Sequence, residues 1–359
     1  MDTPSQLAPE ETALELTVII PARNEQQNLP ACLASILSQS EPGFALGLQW
    51  EVILVDDAST DDTPRIAAEA ASSHPGVTVF TAPPLDLSVR SGFTGKNAAC
   101  WLAAQQARGS WLLFTDADTL HETNDLSRSI REAERHHAAL LSYSPRQIVT
   151  GFWQRTVMPL VFSELASVYP PQKVNDPGDR LAAANGQFLL VQREPYFATG
   201  GHRAIGPNIL EDVALARNVK RGKNNIRLRY APEAVAARMY PTTAAMIEGW
   251  TKNLALLMPS PIALALWRIL DLLLFFGLPI CAVTVPIKIP FQWLVFLLLW
   301  VRTIFRYYNR TARSNFPFID VLLSILGIPL FAYLLIRSTI AHRFTKSVTW
   351  KGRQYRSTP

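Results

Sequence analysis

The chain has 359 residues, of which 48% are hydrophobic and 18% charged, and its formal net charge is +5. Its three cysteines are far apart and lack metal-ligand spacing, which excludes a disulfide framework and a zinc site and favours a reducing compartment. Much of the positive charge lies beside apolar segments near the C-terminus. We therefore do not interpret it as a nucleic-acid surface, and we expect no nucleic-acid partner.

Strand and helix patterns alternate along the first 250 residues. Residues 1–15 are polar and acidic and have no apolar core, unlike a signal peptide. Strands are predicted at residues 16–20, 50–55, 77–81 and 111–115, separated by helical patterns of about ten to fifteen residues. This alternation is typical of a parallel sheet with helices on both faces, and it predicts an α/β fold.

Polar residues lie after the first two predicted strands and before the fourth. Pro21 and Glu25 follow the first strand, Asp56 and Asp57 follow the second, and Lys96 opens the helix that leads into the fourth. The two aspartates could accept hydrogen bonds from a base imide and from ribose hydroxyls, and the lysine could bind a phosphate. Alternatively, the aspartates are turn formers and the lysine is a solvated charge.

The fourth predicted strand is an apolar run that ends in Asp116 and Asp118. We expect both carboxylates to point the same way, because side chains two residues apart on an extended segment share a face. At the carboxyl edge of an α/β sheet, such a pair could hold a hard divalent cation together with a diphosphate. The alternative is a turn that caps the following helix.

The C-terminal part contains three apolar segments, near residues 262–285, 289–306 and 317–337. Their uncharged runs are slightly shorter than the roughly 18 residues of a confident transmembrane prediction, but flanking arginines and lysines can snorkel. Basic residues follow the second and third segments, as they do at an anionic membrane face. We interpret the segments as membrane helices, and a buried helical bundle is the alternative.

Ten short motifs follow one another along most of the chain. They are VIIPARNE, VDDASTD, FTGK, LLFTDADT, ANGQFLL, GGH, LEDVALA, ARMYP, EGWTKN and VTWKGRQY. The ordered set resembles the family 2 glycosyltransferases with the GT-A fold. The later motifs and the apolar segments are most similar to bacterial membrane-associated enzymes that glycosylate carotenoids, with hopanoid-associated and ceramide-type enzymes nearby.

The resemblance implies four regions. Residues 1–15 would be a polar tail, and residues 16–253 a GT-A catalytic domain with a Rossmann-like, mostly parallel sheet. Residues 254–341 would form about three α-helical membrane segments, and residues 342–359 a basic tail.

The resemblance also implies roles for the acidic residues. Asp57, with Asp56 beside it, would bind uridine, Asp118 would be the main metal ligand, and Asp116 would contact the ribose or the metal. Asp212 would be the general base of an inverting displacement, the chemistry that takes a proton from an acceptor hydroxyl. The alternative is that Glu211 and Asp212 only stabilise a helix start through its dipole. The implied cofactor is Mg²⁺ or Mn²⁺, and the implied donor-binding set is Pro21, Glu25, Asp56, Asp57, Lys96 and Asp116.

Acceptor-side residues are less sharply defined. Many relatives carry a Q/R-x-x-R-W box after the base, and only its tryptophan, Trp250, is retained in this chain. Trp250 could form the acceptor wall, with Arg238 or Lys252 as the cation near the diphosphate, or it could be an interfacial aromatic residue. The predicted acceptor-side set is Gly186, Gly201, His202, Glu211 and Trp250.

The resulting hypothesis is an enzyme that transfers a hexose, expected to be glucose, from a UDP-sugar to a hydroxyl of a membrane lipid such as a carotenoid. Its partners would be the UDP-sugar, the lipid acceptor and the bilayer. The alternatives are a polyprenyl-phosphate, hopanoid or ceramide-type sugar transferase, and a catalytically silent membrane scaffold.

The expected location is the cell membrane, with several crossings and a cytoplasmic catalytic domain. Three full crossings would put the basic tail on the far side, against the positive-inside tendency. Segment 262–285 could instead be re-entrant, or residues 327–329 could break the last segment into a hairpin. We favour a cytosolic tail.

Overall fold

The computed structural model describes residues 14–82, 93–284 and 290–356, so most of the predicted polar N-terminal tail lies outside the described residues. The strands are β1 (Leu16–Ala22), β2 (Trp50–Asp56), β3 (Val77–Thr81), β4 (Trp111–Thr115), β5 (Thr119–His121), β6 (Leu140–Ser144), β7 (Arg146–Gln147), β8 (Phe188–Gln192), β9 (Ile226–Tyr230), β10 (Val235–Ala237), β11 (Ser347–Trp350) and β12 (Arg353–Arg356). The first four begin and end within about two residues of the predicted strands.

Most helices lie between strands, as the alternation of patterns predicted. They are α1 (Leu29–Leu37), α2 (Thr63–Ser73), α3 (Gly95–Gln106), α4 (Asp125–Arg135), α5 (Phe152–Val168), α6 (Pro171–Val174), α7 (Arg193–Ala198), α8 (Gly201–Ala204), α9 (Glu211–Arg221), α10 (Thr243–Leu257), α11 (Pro261–Thr284), α12 (Pro290–Thr311), α13 (Phe318–Leu323) and α14 (Ile328–Ile340). Short 3-10 and π segments occupy Ala312–Ser314, Ser324–Gly327 and Ala341–Thr345. The predicted domain boundary at residue 253 falls inside α10.

A seven-stranded sheet in the order β3-β2-β1-β4-β8-β6-β9 forms the centre of the α/β region. Strands β1 to β4 are mutually parallel, and β8 runs antiparallel to both β4 and β6. The register pairs Ala22 with Asp56 and Ile19 with Phe114, so β1, β2 and β4 end at the same edge. This mixed but mainly parallel sheet confirms the predicted α/β fold.

Both faces of the sheet are buried. Alternate side chains of β1 enter two different cores, Val18 and Ile20 on one face and Ile19 on the other. Helices α1, α2 and α4 cover the first face, and α3 and α9 cover the second. Burial on both faces explains why these strands read as continuous apolar runs in the sequence.

Helices α11 and α12 form an antiparallel pair. The Trp300 indole on α12 donates to the Phe275 carbonyl on α11 at 2.9 Å, and the two helices are joined through residues 285–289, outside the described residues. Many large apolar side chains of the pair face outward, including Leu273, Ile280 and Phe291, which are 61–69% exposed. Such a surface suits an apolar environment.

Among the described residues, two helical stretches are long and apolar enough to cross a membrane. Pro261–Thr284 has a mean hydropathy of 1.9 and is 11% buried, and Phe318–Thr345 has a mean hydropathy of 2.3 and is 56% buried. The second predicted segment is also helical, as α12, but it does not belong to this pair of candidates. Because α14 packs against α5, α10 and α11, much of the third segment contacts protein.

The hairpin interpretation of residues 327–329 is wrong. The backbone keeps right-handed helical dihedral angles at Gly327 and Ile328, so helical structure continues from α13 into α14 through a 3-10 turn. A proline in the first turn of a helix is tolerated because its missing N–H has no partner there. Pro329 therefore does not reverse the chain.

A cluster of ion pairs joins α5 to the α11–α12 pair. Arg268 on α11 binds Glu164 on α5 at 3.0 Å and Asp271 at 2.8 Å, Arg306 also binds Asp271, and Arg310 also binds Glu164. We call these five residues the junction network. They account for the charges that interrupt the first apolar segment, since Arg268 and Asp271 turn towards protein partners.

Candidate active site

A pocket of about 530 Å³ opens at the carboxyl edge of the sheet, beside the ends of β1, β2 and β4. Helices α9 and α10 supply the opposite wall. Of the predicted site residues, the pocket lining contains Pro21, Glu25, Asp57, Lys96, Asp116, Asp118, Gly186, Glu211 and Asp212. Residues from six separate stretches of sequence therefore meet in one cavity.

Asp116 and Asp118 follow β4 in a turn, in which the Thr119 amide donates to the Asp116 carbonyl at 3.1 Å. The prediction that they extend the strand is wrong, yet both reach the pocket. Burial and the negative charges of Asp116 and Glu25 raise the pKa of Asp118 to about 7. Two crowded carboxylates in a half-buried turn are a place where a cation would relieve repulsion.

This donor set fits a divalent metal. No group of three His, Cys, Asp or Glu side chains within residues 14–82, 93–284 and 290–356 is arranged as a metal site. Mg²⁺ nevertheless keeps several waters and commonly takes only one or two carboxylates together with substrate phosphates. Asp116 and Asp118 match that pattern, and they are the residues that would hold the ion.

Lys96 bridges the two sides of the pocket. Its Nζ atom lies 2.7 Å from Asp116 Oδ1 and 2.7 Å from Glu211 Oε1. Burial disfavours the ammonium form, but the two carboxylates outweigh this effect and raise the pKa of Lys96 well above its usual range. The lysine begins α3, and Thr94 caps that helix by accepting from the Asn97 amide at 3.2 Å. This cap fixes where the lysine emerges.

Glu211 and Asp212 open α9, and their environments push their pKa values apart. Burial and the neighbouring Glu211 raise the pKa of Asp212 to about 7. Burial also opposes ionisation of Glu211, but Lys96 and Lys252 lower its pKa below the usual range. A carboxylate that ionises near neutral pH is matched to accept a proton during a reaction.

Backbone amides orient Asp212. The Gly186 amide donates to its Oδ2 atom at 3.0 Å, and the Val213 amide donates to Oδ1 at 2.7 Å. A side chain at Gly186 would crowd this wall, because an added Cβ would lie 3.0 Å from Lys96 Nζ and 3.2 Å from Glu211 Oε1. Gly186 therefore gives the charged groups room to meet.

Two further predicted residues, Asp56 and Arg238, lie outside the pocket lining. The Asp56 carboxylate accepts from the Ser59 amide at 3.3 Å, so it shapes the turn after β2 and leaves the pocket to Asp57. Arg238 is exposed, and its amide donates to the Asp118 carbonyl at 3.0 Å. Lys252, the other cation considered for the diphosphate, does line the pocket.

Three predicted acceptor-side residues are buried away from the pocket. His202 bonds to the Tyr196 hydroxyl at 2.9 Å, and burial lowers its pKa to about 3. Gly201 packs against the same tyrosine ring. Trp250 is 2% exposed, and its indole donates to Met158 Sδ at 3.3 Å. These positions do not support direct contact with an acceptor, and they also exclude Trp250 as an interfacial residue.

The sequence interpretation missed the contribution of the C-terminus. Strands β11 and β12 form a hairpin, residues 347–356, which we call the tail hairpin, and Trp350 and Lys351 at its tip line the pocket. Lys351 binds Glu25, and Arg353 binds Asp57. Two signals were available: the segment VTWKGRQY is among the motifs of the resemblance, and Gly352 lies between two short strand-like runs, where a glycine favours a hairpin turn.

The chain is similar in sequence to several known proteins. The chain matches the profile of Glycosyl transferase family 2 over residues 17–196. It is 29% identical over 358 residues to the 4,4'-diaponeurosporenoate glycosyltransferase of Staphylococcus haemolyticus, an alignment that covers 96% of this chain and 89% of the relative. The Staphylococcus aureus protein with the same name is 28% identical over 354 residues, covering 95% of this chain and 88% of the relative.

A solved structure has a similar fold. The mannosyltransferase PcManGT from Pyrobaculum calidifontis, in complex with GDP-Man and Mn²⁺, superposes with a TM-score of 0.53 at 18% identity, covering 96% of this chain and 91% of that one. The family profile spans half of the chain, including the strand ends that line the pocket. The chain therefore belongs to glycosyl transferase family 2.

Proposed function

We propose that this protein transfers a hexose from a UDP-sugar to an oxygen atom of a membrane lipid, most simply a hydroxyl of a carotenoid-like terpenoid. The observation that carries the proposal is the meeting of Asp57, the Asp116–Asp118 pair and Asp212 in one pocket. These groups match the three needs of an inverting sugar transfer: nucleoside binding, charge compensation at the diphosphate, and a base.

On the donor side, Asp57 accepts hydrogen bonds from the uracil imide or the ribose, and Pro21 and Glu25 line the same end of the pocket. Asp116 and Asp118 would hold Mg²⁺ or Mn²⁺, which would neutralise negative charge on the departing diphosphate. Lys96 then exchanges part of its contact with Asp116 for a phosphate oxygen, while Glu211 keeps it in position.

On the acceptor side, Asp212 takes the proton of the attacking hydroxyl. Its two orienting amide donors keep the carboxylate fixed as the new glycosidic bond forms and the bond to the diphosphate breaks. A single displacement of this kind inverts the anomeric centre. A base whose pKa lies near 7 is ionised in much of the population at neutral pH and still has a useful affinity for the proton.

A lipid acceptor is supported by the relatives and by the C-terminal helices. The relatives' names specify a carotenoid acceptor, and they align along nearly the whole chain. The exposed apolar surface of α11 and α12 suits insertion into a bilayer. Because the tail hairpin contacts the pocket, the chain returns to the pocket side after these helices, which favours an even number of crossings. The basic residues of the tail favour the cytoplasm as the side that the pocket and the tail share.

A second acceptor chemistry has a specific basis. The relatives' name denotes a carboxylate, diaponeurosporenoate. A carboxylate is already ionised at neutral pH, so its oxygen could attack without a base, and the product would be a sugar ester. The two candidates therefore differ in how strongly they depend on Asp212.

The test is transfer of labelled glucose from UDP-glucose to lipids extracted from carotenoid-producing membranes, with Mg²⁺ or Mn²⁺, by the full-length protein and by Asp212→Asn. A labelled, alkali-stable lipid that forms with the unaltered protein and is lost in the variant supports transfer to a hydroxyl. An alkali-labile lipid that persists in the variant supports transfer to a carboxylate.

Two further outcomes contradict the proposal. A labelled product that releases a polyprenyl phosphate on mild acid treatment identifies a phosphate acceptor. If the unaltered protein binds neither UDP nor UDP-glucose in the presence of metal, the UDP-sugar proposal is wrong.

A further inference from the structure

The tail hairpin is built to hold its tip at the pocket. Lys351 and Gly352 both have positive φ angles, 46° and 74°, as required by the tight turns that join twisted strands. The Lys351 amide donates to Glu248 Oε1 on α10 at 3.1 Å. The Trp350 ring lies 6.3 Å from the Tyr240 ring and 5.5 Å from Lys252 Nζ. Backbone, aromatic and cation–π contacts therefore fix where the Lys351 side chain starts.

Two cationic side chains of the hairpin, Lys351 and Arg353, point at the donor end of the pocket. Lys351 Nζ pairs with Glu25 and also donates to the Arg23 carbonyl at 3.2 Å. The Arg353 guanidinium pairs with Asp57 Oδ2. Glu25 and Asp57 follow β1 and β2, more than 290 residues away along the chain. Strands β11 and β12 therefore contact the residues that follow β1 and β2 at the carboxyl edge of the sheet.

The pocket lining has an excess of acidic side chains, which favours a cation such as Lys351 at this position. Among the described residues, the lining contains eight carboxyl side chains and only four cationic ones, Arg23, Lys96, Lys252 and Lys351. Lys96 is already shared between Asp116 and Glu211. A nucleotide diphosphate brings further negative charge into this lining and needs cations that can leave a carboxylate for a phosphate oxygen.

We propose that the tail hairpin is part of the donor site, and that Lys351 binds the diphosphate of the nucleotide sugar. This inference rests on the proposed function, because it takes the pocket as a nucleotide-sugar site. Lys351 swings from Glu25 towards the phosphate oxygens, a change the flexible four-carbon stem permits. Its side chain is 30% exposed, so it is accessible from the cavity.

Arg353 has a different part in this arrangement. It is a positioning residue that ties the second strand of the hairpin to the Asp57 carboxylate, with both side chains largely buried at 12% and 7% exposure. A carboxylate can accept several hydrogen bonds at once, so this pair leaves Asp57 capacity for a nucleoside. The Q/R-x-x-R-W box of many relatives carries a cation beside its tryptophan, and this chain keeps only the tryptophan, Trp250. In the proposed arrangement Lys351 of the tail hairpin supplies that cation.

The experiment compares the dissociation constants of UDP, UMP and uridine, with Mn²⁺ present, for the full-length protein in detergent or nanodiscs. For Lys351→Met we expect UDP binding to weaken about tenfold to a hundredfold, the range typical of a hydrogen bond between charged groups, whereas uridine binding is unchanged. The preference for UDP over UMP should shrink accordingly. Lys351→Arg, which keeps the charge, should retain most of that preference.

Lys346→Met is the matched control, because it removes the same charge from the same tail at an exposed position outside the pocket lining. It should leave all three dissociation constants unchanged. Equal weakening of UDP, UMP and uridine by Lys351→Met, or no weakening, overturns the proposal. Tighter UDP binding by the variant also overturns it, since the lysine would then compete with the donor for its carboxylate.

Failure of the proposed donor is distinguishable from failure of this inference. If the unaltered protein prefers GDP to UDP, the uridine assignment is wrong, and the same comparison with GDP, GMP and guanosine decides the role of Lys351. If it binds no nucleoside diphosphate, both are wrong.

Discussion

Two networks of charged side chains in this protein have opposite characters. In the pocket, Lys96 joins Asp116 and Glu211, and the three side chains are 33%, 29% and 14% exposed. In the junction network, Glu164, Arg268 and Asp271 are all within 2% of complete burial. The first network is open enough to exchange a partner for a substrate group, whereas the second can only stay paired, because a buried charge without a partner is costly.

The contrast separates charged groups suited to binding a substrate from charged groups that stabilise the fold. Acidic residues in the pocket repel one another and have altered pKa values, which marks them for cation and proton binding. The junction residues neutralise one another and join α5 to α11 and α12. Substitutions in the first network should therefore impair function without unfolding the protein, and substitutions in the second should do the reverse.

The largest effect is expected for Asp118→Asn. Loss of this carboxylate should lower kcat/KM about a hundredfold to a thousandfold, since it removes charge stabilisation at the departing diphosphate. The strengthening of UDP binding by Mn²⁺, measured by titration calorimetry, should disappear. The thermal unfolding temperature should not fall, because the substitution relieves repulsion from Asp116 and Glu25. Asp62→Asn, at an exposed position, is the control, and retention of the Mn²⁺ effect by Asp118→Asn contradicts the metal-ligand role.

Next in size is the effect of Glu164→Gln on stability. This change leaves Arg310 without its charged partner and Arg268 with Asp271 alone, and breaking a buried pair such as Arg268–Glu164 costs about 3–5 kcal/mol. Denaturant or thermal unfolding in detergent should show the loss, while the dissociation constant of UDP stays within about twofold in the protein that remains folded. A Glu164→Gln variant that is stable but binds UDP poorly would contradict the assignment of the junction network to stability.

A smaller effect links Glu211 to the pH dependence of turnover. Burial and Glu211 raise the pKa of Asp212 to about 7, so protonation of the base should slow transfer to a hydroxyl as the pH falls below about 7. In Glu211→Gln the neighbouring negative charge is absent, the pKa of Asp212 falls, and the acid limb of kcat/KM should move about one unit to lower pH. A limb that stays in place or moves upwards would falsify the coupling. Glu69→Gln, on an exposed helix face, should leave the limb unchanged.

The smallest effect is expected at the surface. Arg65 bonds to Glu69 at 2.6 Å and to Asp62 at 3.1 Å, but these side chains are 60–63% exposed. Arg65→Ala should change neither the unfolding temperature nor the UDP dissociation constant beyond measurement error, because solvent screens such pairs. A clear loss of stability would mean that exposure is a poor guide to which networks hold the fold.

The sequence predicted well which residues meet at the sheet edge, because each motif is a short contiguous segment whose strand carries it to that common edge. Asp57, Asp116 and Lys96 follow or precede strands or helices that their own neighbours specify. The same logic could not separate Asp56 from Asp57. Which of two adjacent carboxylates turns inward depends on the turn after β2, where Asp56 accepts from the Ser59 amide.

The remaining features depend on contacts between distant segments. His202 and Trp250 are polar or aromatic residues in suggestive motifs, but Tyr196 and Met158 bury them. Glu164 meets Arg268 across more than 100 residues, and Lys351 meets Glu25 across more than 300. No periodicity or spacing reports pairings of that range, so the junction network and the tail hairpin emerge only from the folded structure.

The junction network has a consequence for how the protein sits in a bilayer. It places charged residues near the pocket-side ends of α11 and α12, so the uncharged remainder of α11, residues 272–284, is roughly 20 Å long at 1.5 Å per residue. A typical hydrocarbon layer is about 30 Å thick. This hydrophobic mismatch favours local thinning of the bilayer or deeper insertion of the protein, and either change would bring the pocket closer to the lipid head groups. Under the proposed function, the polar end of a lipid acceptor would then reach Asp212 while its apolar chain stays in the membrane.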